Sequence, residues 1–99
     1  MNGIHEKHYM LQNAIEALVT HTGDDRQRAI SAVNEITSLK AVDFPEHLES
    51  SYFAQLSGFT KDLRAGRISD ESLRRLKGNM WALYKSVSVS RDSLFRKMG

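Results

Sequence analysis

Apolar side chains return every three or four residues along almost the whole chain, and no stretch alternates apolar with polar for more than a few residues. An α-helix gathers residues at that spacing onto one face, whereas a strand would need a period of two. The expected fold class is all-α: a small bundle of five helices, or six if the fourth is broken at Gly78-Asn79. With 99 residues there is material for one domain and one modest core.

The first stripe is Ile4, His8, Leu11, Ile15 and Leu18, flanked by Ala14 and Val19 and ended by Thr22-Gly23. Asp24 with Gln27 three residues on is a capping-box signature, and the helix it opens has a thin apolar face of Ala29, Ala32, Val33, Ile36 and Leu39. Asp43-Phe44-Pro45-Glu46 reads as the start of a third helix, with Asp43 as N-cap, an early proline and a glutamate at the third position. Phe44, Leu48, Tyr52, Leu56, Phe59 and Leu63 make the strongest amphipathic stripe in the chain, with Phe53 outside it. Ala65-Gly66 stops that helix. Ser69 caps the next, with Asp70 and Glu71 complementing its positive end. Its apolar face is Leu73, Leu76, Met80, Leu83, Tyr84 and Val87.

Whole classes of chemistry lack their residues. The absence of cysteine removes disulfides, thiol nucleophiles and thiolate zinc sites together. His5 and His8 are three apart and so could share an ion with Glu6, but His8 lies within an apolar stripe and no third ligand is evident, so no metal is expected. His21 and His47 fall at or near helix ends. The serines crowd at caps and in the 86–93 stretch, where bonds to backbone account for them, and no base stands beside a nucleophile. The expectation is a protein that is not an enzyme and carries no cofactor. No apolar run is long enough to span a membrane and the first residues have no apolar core of a signal peptide, so a cytoplasmic protein with no membrane partner is expected.

Charge is unevenly distributed. Residues 1–60 hold four Lys/Arg against eight Asp/Glu, a net −4, while residues 61–99 hold ten against four, a net +6. Such a division suits a polyanion or an acidic protein partner at the basic end, or two solvated faces with no purpose. From Lys77 onward the chain parses as two short helices, one capped by Asn79 and running to about Val87, the other capped by Ser90 and running to Met98, with Ser88-Val89 as the turn. Leu94, Phe95 and Met98 gather on one side of the last helix, with Asp92, Ser93, Arg96 and Lys97 over the other. Yet the stripe Leu73, Leu76, Met80, Leu83, Val87 keeps its phase through Gly78-Asn79, which leaves an uninterrupted helix from Ser69 to Val87 open.

Gly78-Asn79, eight residues, then Ser88-Val89-Ser90-Arg91-Asp92-Ser93-Leu94-Phe95-Arg96-Lys97-Met98 resembles the Fis-type helix-turn-helix, which also closes NtrC-class activators. The resemblance covers residues 78–99 only. It implies a single helical domain in which residues 1–76 form a core and dimerisation part and residues 77–99 read duplex DNA. Arg91, Ser93 and Asp92 would then face base edges, and Lys85, Ser90, Arg96 and Lys97 would hold phosphates. The function so expected is that of a small regulatory or nucleoid-associated-like DNA-binding protein, a homodimer built through Phe53 and the third helix. The other expectation is a non-catalytic helical interaction module, an adaptor, antitoxin or regulator, which meets an acidic partner through its basic face with Phe53, Trp81 and Tyr84 as interface anchors.

Overall fold

Helix α1, Ile4–Thr20, lays its apolar stripe against α2, Asp25–Glu35, and against the long last helix. A 3-10 turn, Ala41–Asp43, leads to α3, His47–Arg64, and α4 occupies Asp70–Met98. This is a computed structural model describing residues 3–20 and 23–98, with side chains as far as Asp92. Helix α4 packs on both α1 and α3, so the core forms around it. Its residues Leu73, Leu76, Met80, Leu83 and Val87 are all buried, together with Leu11 and Ala14 of α1, Ala29, Ala32 and Val33 of α2, and Leu56 and Leu63 of α3. The alanine-rich face of α2 allows it to approach bulkier neighbours closely.

The local signals set most of the boundaries. The capping box at α2 is complete: the Asp24 carboxylate accepts from the Gln27 backbone N–H, and the Gln27 side chain accepts from the Asp24 N–H. Gly66 has φ +75° and ends α3 in the left-handed region where a Cβ is unfavourable. The Ser69 hydroxyl accepts from the Ser72 N–H at 3.1 Å and opens α4.

Three expectations are corrected. Helix α3 begins later than the sequence suggests, because Glu46 supplies the cap, accepting from the Leu48 and Glu49 N–H groups. Asp43 instead closes the 3-10 turn by accepting from the Lys40 N–H at 2.8 Å, and Phe44 enters the core ahead of the helix. The count of five or six helices becomes four α-helices and one 3-10 turn among the described residues. Finally, α4 is unbroken at Gly78-Asn79 and again at Ser88-Val89, so the pair of short helices expected over residues 77–99 is one helix. The cause is the apolar stripe: Val87 continues the buried seam of Met80 and Leu83, and a turn there would expose it. Among the described residues no residue other than glycine has a positive φ, so Ser88 does not adopt the conformation that such a turn requires. At 1.5 Å per residue α4 is about 43 Å long, and the molecule's longest dimension is 45 Å.

Candidate functional site between α3 and α4

Antiparallel packing of α3 on α4 leaves a groove where the start of α3 faces the C-terminal half of α4. On α4, Trp81, Lys85 and Val89 lie four residues apart along one line, with Ala82, Ser86 and Ser90 along the next. On the opposite side stand Glu46, Leu48 and Tyr52. Together they enclose about 470 Å³. Leu48 is 50% exposed, Trp81 48% and Val89 69%, so three of the large apolar side chains left in solvent converge on this one groove.

Polar groups lie beneath it. Glu49 is buried at 3% exposure, and its Oε1 accepts from the Ser86 and Ser90 hydroxyls at 3.5 and 3.3 Å. Both distances are long for hydroxyl–carboxylate bonds. At the groove mouth, the backbone N–H groups of Glu49 and Leu48 hold the Glu46 carboxyl below the ordinary carboxylate range. Nearby, the buried Lys7 ammonium donates to the Asp43 carbonyl at 2.6 Å and lies 5.3 Å from the centre of the Phe44 ring.

The residues expected to bind DNA do not form one outward face. Lys85 and Asp92 are exposed, Lys85 on the groove rim. Ser90 gives its hydroxyl to Glu49. Arg91 turns to α1, where its Nη1 donates to His8 Nδ1 at 2.7 Å. Burial, and then the charge of Arg91, push the His8 imidazole below its ordinary pKa, so its neutral form receives the guanidinium. The side chains of Ser93, Arg96 and Lys97 lie outside the described residues.

The three anchors expected for a protein partner are also divided. Trp81 and Tyr84 meet with ring centres 5.7 Å apart, and Tyr84 continues to His8 at 5.3 Å. Tyr84 is therefore half-buried between α4 and α1, while Trp81 stays at the groove. Phe53 stacks on Phe44 at 4.7 Å and borders a separate hollow of about 200 Å³ beside Val33 and Ile36.

Glu49, Leu48, Tyr52, Ser86 and Val89 were not singled out as site residues by sequence. A signal for Glu49 existed: it stands seven residues before Leu56, a separation that returns within about 20° on a helix, and Leu56 and Leu63 continue the same line. Lys7 stands in the same relation to Ala14. A charge on the buried line of a stripe marks a polar group that the fold has to accommodate.

No protein-family model matches the chain, and no match was found among curated proteins or solved structures. The fold supports the class of a small all-α helical bundle, and no helix among the described residues is long and apolar enough to cross a membrane.

Proposed function

We propose that the chain is a non-catalytic interaction module that holds an apolar segment of a partner protein in the groove between α3 and α4. The observation that carries this reading is the convergence of Leu48, Trp81 and Val89, exposed together in a space of about 470 Å³. Aromatic side chains in such hollows, tryptophan among them, are enriched as binding anchors. Trp81 serves as the main anchor, Tyr84 supports it from behind, and Phe53 stabilises the packing of α3 rather than meeting the partner.

Selection from a displayed peptide library tests this, with the Trp81→Ala/Val89→Ser variant used for counter-selection. Peptides with two or more apolar residues should be enriched, and the variant should lose them. A selection that returns only peptides indifferent to the variant would refute the groove as the binding site.

Duplex DNA is the second reading, supported by the net +6 of residues 61–99. It now requires one continuous basic helix end instead of a helix-turn-helix. Anisotropy of a labelled random duplex distinguishes the two: binding that weakens steeply with salt, collapses in Arg96→Ala/Lys97→Ala and survives Trp81→Ala favours DNA over the groove.

A further inference from the structure

The groove has a floor of definite polarity. Ser86 and Ser90 line it, and both direct their hydroxyl hydrogen to Glu49 Oε1. A serine hydroxyl has one hydrogen and two lone pairs. With the hydrogen turned toward Glu49, each leaves its lone pairs to accept from an occupant of the groove. Behind them the Glu49 carboxylate is 3% exposed, and no lysine, arginine or histidine among the described residues forms an ion pair with it. Of the two other buried charged side chains at this end of the bundle, Lys7 gives its ammonium to the Asp43 carbonyl and Asp43 accepts from the Lys40 backbone N–H. Glu46 places a second negative charge at the mouth, opposed by Lys85 on the rim.

The Glu49 side chain, 3% exposed, has two long hydroxyl bonds and no ion pair among the described residues, and an apolar side chain in its place would stabilise the fold more. A cation arriving from the groove would offset that deficit, because its hydrogens meet oxygen lone pairs already polarised by Glu49. The aromatic walls, Tyr52 and Trp81, are also compatible with a cation. We infer that the groove selects a protein segment that sets a basic side chain on Ser86 and Ser90 while its apolar neighbours cover Leu48, Tyr52, Trp81 and Val89. This rests on the groove reading above and specifies its partner. The charge of the C-terminal half as a whole suits an acidic partner, whereas the groove floor calls for the opposite sign.

The test is a titration of the full chain with a short leucine-rich helical peptide carrying one lysine, and with matched peptides holding norleucine or glutamate at that position. Trp81 is the only tryptophan in the chain, so its emission reports occupancy of the groove directly. The lysine peptide should bind at least about tenfold more tightly than the norleucine peptide, the scale of one charge-assisted hydrogen bond. The glutamate peptide should be weakest. Glu49→Gln should reduce the lysine preference to near unity while norleucine binding persists, and Ser86→Ala/Ser90→Ala should do the same in a chain that keeps the buried carboxylate. Equal binding of lysine and norleucine peptides, or a preference unchanged in both variants, overturns the inference and leaves the groove reading intact. Failure of every peptide to alter Trp81 emission overturns both.

Discussion

At the scale of single residues, the polar side chains on the buried lines of the helices do the most to shape this molecule. Glu49 is placed by its seven-residue relation to Leu56, and its burial at 3% exposure carries a cost in stability. Glu49→Leu should therefore raise the unfolding free energy, by roughly 1–3 kcal/mol in urea denaturation, while abolishing any preference of the groove for a basic segment. A fall in stability would show that the two serine bonds already satisfy the carboxylate. His8 gives a prediction in pH. Its folded pKa is lowered by burial and by Arg91, with His5 acting in the same direction and Asp92 opposing. Above the ordinary histidine value of 6.5 both folded and unfolded rings are neutral and its contribution is complete. As pH falls below that value the unfolded chain takes up a proton first, so stability declines until the folded ring titrates as well. Melts across this window should show the decline, and His8→Gln should flatten it.

The scale of the element brings the longest helix into question. Gly78 lies in the middle of α4, and a Cβ built there meets no atom within 4 Å. Neither close packing nor backbone conformation calls for glycine at that position, so Gly78→Ala should stabilise the protein by about 1 kcal/mol. A helix boundary at Gly78-Asn79, as a helix-turn-helix requires, would make the same change neutral or harmful, so one denaturation curve separates the two geometries. Leu83→Ala, in the buried seam that carries α4 past both proposed breaks, should cost about 2–5 kcal/mol. A loss well below that would mean that α4 is not pinned along its second half.

The whole molecule redistributes the charges that looked segregated along the chain. Arg26 pairs with Asp70 at 3.3 Å and Lys77 with Asp25 at 3.6 Å, so the acidic and basic portions meet across α2 and α4. Both pairs stand in solvent and are worth about 0–1 kcal/mol each. Arg26 does more through its Nη1, which donates to the Ile68 carbonyl at 2.8 Å and ties α2 to the approach of α4. Raising salt from about 0.1 to 1 M should accordingly change the unfolding free energy by less than about 2 kcal/mol. A larger loss would show that ion pairing, and not the apolar seam around α4, holds the helices together.

Helical periods, the Asp24 capping box, the Gly66 stop and the Ser69 cap are written within a few residues of where they act. The all-α class and the buried face of α4 were therefore legible in the sequence alone. Where α3 begins was not: Asp43 to Glu46 reads as a capping box, whereas Phe44 docks in the core ahead of the helix and Glu46 becomes the cap. Nor was the continuity of α4 decided locally: Gly78-Asn79 and Ser88-Val89-Ser90 are compatible with breaks. It is the packing of Met80, Leu83 and Val87 among α1 and α3 that keeps the helix whole. That same packing turns Arg91 toward His8 and Ser90 toward Glu49, away from the outward face their spacing suggested. It also assembles a groove from Leu48 and Trp81, residues 33 positions apart, whose meeting depends on how two helices cross and not on the pattern within either one.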